Sequence, residues 1–411
     1  MGKTGNLSVR RILSAVVASA CVLAVVAACS GDSSRAGARS RCPAVPGVTP
    51  DRLNYGVLYP NSGPNSQVFG PYRSGVDARL GLANAQGGIN GRQITYAWAD
   101  DGANAFGNLT AAQRLVNINK VFAIQEFSPS PEGSAAWLNH QDVPVVGSSD
   151  AIVWTKYHNM FSYLNVITGS GSVDTWGDYA KMQGTKKAAV LYSPLSDGSR
   201  AVGAAFQKSF ESAHIDVQMI PVEPASMDTG AIVDTIKNSG ADLMTGILDG
   251  NTFFLIAIAA RSTIPSIKIM SIVGYDPAIL TLGSTLARTT VLSAYTPFEH
   301  PVPVHKTFLD AMARYAPQQQ PAGNVDALVG WTDADLLLAG LRAAGTCPTR
   351  QSLDAGLRGL SDYDAGGLLA APVNIGANFG KLSECYWFLQ ISGDGTRFIP
   401  YGDKALCGHR L

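Results

Sequence analysis

Short apolar runs alternate with amphipathic stretches along most of the chain after residue 52. The runs at 53–59 and 188–192 are rich in β-branched, aromatic or small apolar residues, whereas the stretch 72–85 places its apolar residues at helical spacing. Strands that alternate with helices are typical of parallel sheets with crossover helices. One such unit is complete by about residue 165 and a second then begins. The pattern therefore predicts an α/β fold with two doubly wound parallel-sheet lobes.

The individual elements follow from the same pattern. The predicted strands are 53–59, 93–99, 121–125, 143–146, 161–164, 188–192, 217–221, 243–248, 267–272, 291–295, 385–391 and 397–401. The predicted helices are 72–85, 107–116, 132–140, 172–182, 200–213, 231–238, 252–260, 306–315, 325–344 and 351–360. Between the last parallel strand and the late helices, Pro297, Pro301 and Pro303 are expected to interrupt regular structure.

The first 28 residues have the pattern of an export signal and not of a folded domain. Lys3, Arg10 and Arg11 precede an apolar run, and small residues then lead into Cys29. This pattern resembles a bacterial lipoprotein signal. The resemblance implies cleavage before Cys29, a lipid on its thiol, a tether at 29–51 and a place on the outer face of the cytoplasmic membrane. The alternative is an uncleaved membrane helix, because the run approaches the roughly 20 residues that span a bilayer.

Charge and size limit the classes of partner. The formal net charge is 0, and loss of residues 1–28 would change it to −3. Lys and Arg are scattered over the remainder, whereas binding through counterion release needs them clustered. We therefore expect no nucleic-acid partner. The part beyond the tether is longer than one core usually organises, which agrees with two lobes in a monomer.

Four cysteines remain if Cys21 leaves with the signal and Cys29 is lipidated. An even number in an exported chain indicates disulfides. Three pairings are possible, and we expect Cys347 with Cys385 and Cys42 with Cys407, since the second pair would join the chain ends. A zinc site is the alternative, although no pair has the two-residue spacing of zinc motifs. We expect no metal and no cofactor.

Three segments carry a family resemblance. Residues 54–60 (NYGVLYP) with 62–65 (SGPN) resemble the opening strand and loop of the branched-chain amino-acid (Leu/Ile/Val) binding proteins, which have the type I periplasmic binding fold. Residues 84–92 (NAQGGINGR) and 100–102 (DDG) continue the resemblance in the family's order. It extends over most of 52–400 and is strongest up to about residue 150.

The resemblance implies a division of the chain into lobes. It implies a first lobe from 52–165 and 294–368, a second lobe from 166–293 and 369–411, and a hinge of three crossing segments. It also implies a small-molecule solute that is captured between the lobes and delivered to the membrane permease of an ATP-driven importer.

The position of the solute follows from topology, because open parallel sheets bind ligands outside the carboxyl ends of their strands. Polar loops at these ends supply the candidates Asn61, Ser62, Ser128, Ser130, Ser148, Ser149, Asp150, Ser193, Asp249, Asn251, Tyr275 and Asp276. Ser128 and Ser130 are equally good helix caps. The loop at 147–150 is the strongest candidate, since the family places a hydroxyl and main-chain groups there.

The second-lobe candidates give a hint about the solute. Asp249 and Asp276 suit a cationic or hydroxylated group, and Tyr275 an apolar or aromatic part. The chain has Val273 where amino-acid binders commonly have an acidic residue, so an amide, a carboxylate or an aromatic acid is as plausible as a branched-chain amino acid.

Catalytic patterns are weak, and we expect no enzyme. The loop at 147–151 lacks the last glycine of an esterase elbow, because residue 151 is alanine. His300 and His305 are neighbours without a carboxylate or cysteine at ligand spacing. A ligand-sensing receptor of the same fold and a secreted hydrolase remain the alternatives to a solute receptor.

Overall fold

Two sheets with helices packed on their faces make up the fold. The computed structural model describes residues 42–63, 66–148 and 151–411. The predicted α/β class with two doubly wound lobes is confirmed. The expected signal at 1–28, Cys29 and most of the tether lie outside the described residues.

The strands of the described part differ from the predicted ones by a few residues at most of their ends. They are β1 (Arg52–Tyr59), β2 (Gln93–Asp100), β3 (Ile124–Glu126), β4 (Val145–Gly147), β5 (Met160–Phe161), β6 (Lys187–Tyr192), β7 (Asp216–Pro221), β8 (Leu243–Ile247), β9 (Lys268–Ser271), β10 (Thr290–Ser293), β11 (Cys385–Ile391), β12 (Phe398–Pro400) and β13 (Leu406–Cys407). Sequence patterning missed β13, which is two residues long.

The α-helices likewise match the helical patterns, except for the short α1. They are α1 (Ser66–Phe69), α2 (Tyr72–Ala85), α3 (Ala105–Gln113), α4 (Glu132–His140), α5 (Thr175–Met182), α6 (Asp197–Ser212), α7 (Thr229–Ser239), α8 (Gly250–Thr263), α9 (Pro303–Tyr315), α10 (Val325–Ala343) and α11 (Arg350–Arg358). A π-helical turn at Arg114–Ile118 extends α3. Short 3₁₀ segments lie at Ile152–Thr155, Pro224–Ser226 and Pro277–Leu286.

The first sheet is parallel, with the order β2-β1-β3-β4-β5 in the described residues. The interior strand β1, which pairs with β2 and β3, is buried on both faces, as the continuous apolar run predicts. Tyr55 and Val57 face a core with α2, α9, α10 and α11, while Leu58 faces a second core with α3 and α4. Both faces of this sheet are therefore covered by helices.

The second sheet has the order β12-β11-β10-β9-β8-β6-β7, and β13 pairs with β11. The strands from β6 to β10 run parallel, whereas β11 to β13 are antiparallel additions at one edge. Alternate residues of β6 again face two cores: Val190 packs with α5 and α6, and Leu191 packs with α7 and α8.

Three segments connect the two sheets. The chain leaves the first sheet between β5 and β6, returns between β10 and α9, and crosses again between α11 and β11. Two of these segments bond to each other, because Ala370 N–H donates to Ala294 O at 2.8 Å. The third is held by Ser383 N–H, which donates to Asn165 O at 2.9 Å. The crossing segments thus lie side by side.

Two expectations are wrong. Cys385 is disulfide-bonded to Cys407, because the antiparallel register of β11 and β13 sets these residues opposite each other with Cα atoms 4.1 Å apart. The pairs Cys347–Cys385 and Cys42–Cys407 are therefore excluded, although Cys42 and Cys347 are also disulfide-bonded. Pro303 does not interrupt regular structure but begins α9, where its missing N–H costs no hydrogen bond.

Candidate functional site

Two large cavities open where the carboxyl ends of strands from both sheets approach each other. The larger has a volume of about 760 Å³, and we call it the polar cleft. The smaller has a volume of about 350 Å³, and we call it the apolar chamber. Both volumes are in the range that accommodates small-molecule ligands.

The polar cleft is lined by loops that follow β3, β4, β6 and β8. The first-sheet side contributes Pro129, Glu132, Ala151, Ile152, Val153 and Lys156. The second-sheet side contributes Ser193, Leu195, Ser196, Asp197, Gly198, Ser199, Ile247, Leu248 and Asp249, and Ile167 comes from a crossing segment. Three of these side chains are acidic and one is basic, so the described lining is negative overall.

The apolar chamber shares one crossing segment with the polar cleft, because Leu164 and Val166 line the chamber while Ile167 lines the cleft. Its walls are the residues Val68, Leu164, Val166, Trp176, Val202, Ile272, Val273, Gly274, Tyr275, Asp276, Leu292, Ser293, Ala294, Tyr295, Val325, Asp326 and Tyr386. Most are apolar or aromatic, and they come from α1, α5, α6, α10, β10, β11, the loop after β9 and two crossing segments. A solute with an apolar body fits such walls.

Asp326 and Asp276 line the chamber from two different elements, α10 and the segment after β9. Asp276 begins the 3₁₀ segment after β9: its Oδ1 accepts Ala278 N–H at 2.7 Å, and its Oδ2 accepts Asn324 Nδ2 at 3.1 Å. Asn324 in turn caps α10, whose first turn contains Asp326. Burial raises the pKa of Asp326 to about 7, and the Asp276 carboxylate adds to that rise.

Tyr275 forms a second link across the chamber. Its hydroxyl donates to Glu299 Oε2 and accepts Phe298 N–H, both at 2.7 Å. Burial and then the Glu299 carboxylate raise the pKa of Tyr275, so the phenol stays protonated. Tyr275 lines the chamber, while its hydroxyl is hydrogen-bonded within the protein.

The described part of the loop after β1 is organised by a carboxylate, and Asn61 and Ser62 are not among the described lining residues of either cavity. Pairing of Tyr59 with Asp100 brings the end of β2 beside this loop. Asp100 Oδ1 accepts the N–H groups of Asn61 at 2.9 Å and Ser62 at 3.3 Å. Asn61 Oδ1 accepts the Tyr59 hydroxyl at 2.9 Å. These bonds hold the exposed Asn61 and Ser62 in place at the carboxyl ends of β1 and β2.

The loop after β3 turns its first serine into the protein. The buried Ser128 donates to Asp101 Oδ2 and accepts Ser130 N–H at 3.1 Å. Neither serine caps α4, whose first residue follows Pro131 without a side-chain cap. Ser128 therefore connects two loops of the first sheet, and it is not among the described lining residues of the polar cleft or the apolar chamber.

Ser148, at the end of β4, belongs to a buried chain of hydroxyl groups. Its Oγ donates to Asp333 Oδ1 at 3.1 Å and lies 2.8 Å from the Tyr163 hydroxyl. The Tyr163 hydroxyl is 2.5 Å from that of Tyr295 in another crossing segment. Tyr72 donates to Asp333 Oδ2 at 2.7 Å. Burial raises the pKa of Asp333 to about 7, and the hydrogen bonds it accepts oppose that rise.

The remaining candidates divide into three groups. Ser193 and Asp249 line the polar cleft, and Asp249 also caps α8 by accepting Thr252 N–H at 3.0 Å. Asn251 is exposed in the first turn of α8, outside both linings. Ser149 and Asp150 lie outside the described residues.

Sequence reasoning missed several lining residues, above all Asp326. An acidic residue in the first turn of a helix is common and carries no sign of a ligand. Asp326 is recognised as a lining residue only in the folded chain, because α10 begins next to the loop that follows β9.

A metal centre finds no support in residues 42–63, 66–148 and 151–411. No three His, Cys, Asp or Glu side chains there are grouped for metal binding. Both ring nitrogens of His305 have partners: Nε2 lies 3.0 Å from Thr296 O, and Nδ1 accepts Val302 N–H at 3.3 Å. No helix of that part combines the length and the apolarity needed to cross a membrane.

Known proteins of this build bind small molecules. A solute-binding protein of an ABC transporter from Rhodopseudomonas palustris, in complex with p-hydroxybenzoic acid, matches with a TM-score of 0.73 and 20% identity over 87% of this chain and 98% of that chain. A branched-chain amino-acid ABC transporter protein from Thermus thermophilus, with bound valine, matches with a TM-score of 0.72 and 15% identity over 87% of this chain and 97% of that chain. At such identity the likeness establishes the fold and not the ligand.

Sequence comparison leads to the same group of proteins. A Leu/Ile/Val-binding protein homolog from Brucella abortus is 34% identical over 73 residues, which are 18% of this chain and 20% of that protein. This chain therefore matches about a fifth of the length of that curated relative. The family model described as periplasmic binding protein matches residues 53–396. The chain therefore belongs to the periplasmic binding protein family.

Proposed function

We propose that the protein is an extracytoplasmic solute receptor of an ATP-driven importer, which captures a small molecule between its lobes and does not transform it. The observation that supports this proposal most directly is the lining of the two cavities. The polar cleft is lined by loops from both sheets, and the apolar chamber by α1 and α10 on one side and by elements of the second sheet on the other. A solute in either cavity would therefore contact both lobes at once. The solute-binding proteins of the same fold, with p-hydroxybenzoic acid and valine, support the same class of function.

Closure about the three crossing segments is part of the proposal. These segments lie side by side and are bonded to one another, so a small rotation about them changes the distance between the sheets while each sheet keeps its own cores. A solute that contacts both linings would favour the closed arrangement. Affinity would then come from the desolvation of a few directed polar contacts.

Anchoring by a lipid on Cys29 completes the proposal. It rests on the sequence pattern at 1–29, and it would keep the receptor beside a permease. Membrane fractions should retain the wild-type chain and release a Cys29→Ala variant in soluble form.

The test of solute capture is a thermal-shift screen of the full-length chain in detergent. The panel contains amino acids, amides, amines, aromatic acids and short peptides, since a ligand that binds the folded state raises the melting temperature by mass action. Mass spectrometry should recover the hit unchanged after incubation. A panel without any hit, or a hit that is converted to a product, would count against a receptor.

A pair of matched variants locates the hit. Asp249→Asn keeps the helix cap, because asparagine caps as well as aspartate, but removes one charge from the polar cleft. Asp228→Asn makes the same change at the cap of α7, where the carboxylate accepts Ala231 N–H at 3.0 Å and lies outside both linings. A hit bound in the polar cleft should show an affinity changed by about threefold or more in Asp249→Asn and an unchanged affinity in Asp228→Asn. A hit bound in the apolar chamber should bind both variants as it binds the wild type.

A further inference from the structure

The apolar chamber carries charge of one sign. Asp276 and Asp326 are the charged side chains among its described lining residues, and no Lys, Arg or His belongs to that lining. The other walls are apolar or aromatic, apart from Gly274 and Ser293. A solute in this chamber therefore meets hydrophobic surface and two carboxylates, with no basic group to receive an anion.

The carboxylate of Asp326 has no positively charged partner among the described residues. No hydrogen bond or ion pair to its carboxylate occurs among the described residues. The charged group that acts on it there is the carboxylate of Asp276, which has the same sign. Burial raises the pKa of Asp326 first, and Asp276 second. A helix N-terminus compensates a carboxylate only modestly. A positive group from outside would relieve both the desolvation and the repulsion.

Asp276 is positioned to share that positive group. Its two hydrogen bonds, from Ala278 N–H and Asn324 Nδ2, hold the carboxylate at the junction of the second sheet and α10. Asp326 reaches the same junction from α10, the long helix of the first lobe. A cation between the two would therefore be held from both lobes, in the way that a closed receptor holds its solute.

The polar cleft has the same sign of charge. Glu132, Asp197 and Asp249 outnumber Lys156 among its described lining residues. Both cavities between the lobes are thus negative, and an approaching cation is attracted, whereas a carboxylate is repelled.

We propose that the solute is an organic cation, with an apolar aliphatic or aromatic body in the apolar chamber and an amine or amidine head against Asp326 and Asp276. This inference rests on the proposed function and specifies its solute class. It separates this chain from the fold relative that was solved with p-hydroxybenzoic acid, whose ligand has an acidic head.

Three probes of one body but different charge test the inference. They are 2-phenylethylamine, 3-phenylpropanamide and 3-phenylpropanoate, titrated calorimetrically into the full-length chain at pH 8, where Asp326 is ionised and the amine is still a cation. We expect the amine to bind at least about tenfold more tightly than the acid, with the amide between them.

Variants of Asp326 test whether this carboxylate causes the preference for the amine. Asp326→Asn should weaken the amine by about tenfold and change the amide by less than about threefold, while Asp326→Glu should retain the preference for the amine. Asp178→Asn is the matched control, because Asp178 is also in the first turn of a helix but is exposed and lies outside both linings. Amide binding by Asp326→Asn shows that this variant is folded.

The outcomes separate the two proposals. An acid that binds as tightly as the amine, or an Asp326→Asn variant with undiminished amine affinity, would overturn the cation assignment and leave solute capture intact. Failure of all three probes would also overturn it, whereas solute capture depends on the broader thermal-shift panel.

Discussion

Glu126 is expected to make the stability of the protein depend on pH. The side chain ends β3 and is fully buried. Its Oε1 accepts Asn108 Nδ2 at 2.7 Å, while Oε2 has no hydrogen-bond partner in the described residues. Burial raises the pKa of Glu126 to about 8, and Asp101 and Glu132 add to the rise, whereas the Asn108 bond opposes it.

The sign and size of the effect follow from this shift. The ordinary pKa of 4.5 applies to the unfolded chain, so between about pH 4.5 and 8 the folded protein holds one proton that the unfolded chain has lost. The contribution of Glu126 to the free energy of unfolding therefore falls as the pH rises through this window, by about 1.4 kcal/mol per pH unit. The stabilisation is complete below pH 4.5 and is lost by about pH 8.

Glu126→Gln should remove this dependence, because glutamine cannot ionise and can still accept the bond from Asn108. The measurement is guanidinium unfolding followed by tryptophan fluorescence at pH 5, 6, 7 and 8. The free energy of unfolding of the variant minus that of the wild type should increase by about 1.4 kcal/mol per pH unit. Glu211→Gln, an exposed change in α6, is the control and should give a flat difference. An equally flat difference for Glu126→Gln would refute the reasoning.

Two further predictions concern packing and covalent structure. Gly75→Ala should lower the free energy of unfolding by about 1–3 kcal/mol or more, because a Cβ there would lie 1.7 Å from a backbone oxygen of α10. Gly393 lies in open space, so Gly393→Ala should be close to neutral in the same unfolding assay. Equal effects of the two substitutions would contradict the close packing of α2 on α10. Replacing Cys385 and Cys407 together by serine should cost about 2–4 kcal/mol in that assay under oxidising conditions, and an unchanged midpoint would show that the bond does not contribute to stability.

Sequence patterning predicted the fold well, because the signals of strands and helices are local. The bounds of α2 and α4 are those predicted, since apolar spacing defines the buried face and Gly87, at φ 96°, ends the first of these helices. Pro303 shows the limit: a proline interrupts one element and begins another, and only the following residues decide which. The cysteine pairing failed because it depends on the register of β11 and β13, which no local pattern contains.

The candidate site was predicted only in outline. Topology brings Ser193 and Asp249 to the polar cleft, because both follow parallel strands, and their contact with a solute stays a prediction. It does not specify side-chain direction: Ser128 and Ser148 also follow such strands but bond to the buried carboxylates of Asp101 and Asp333. A local sequence pattern cannot predict a hydrogen bond to a carboxylate that comes from a distant part of the chain.

The position of α2 has a consequence for biosynthesis. Val76 and Leu80 of this helix pack against α9, α10 and α11, which begin more than two hundred residues further along the chain. A ribosome therefore completes the strands from β2 to β10 before these helical partners of α2 exist. Truncated translation products that stop inside the second sheet should therefore expose the apolar face of this helix and aggregate.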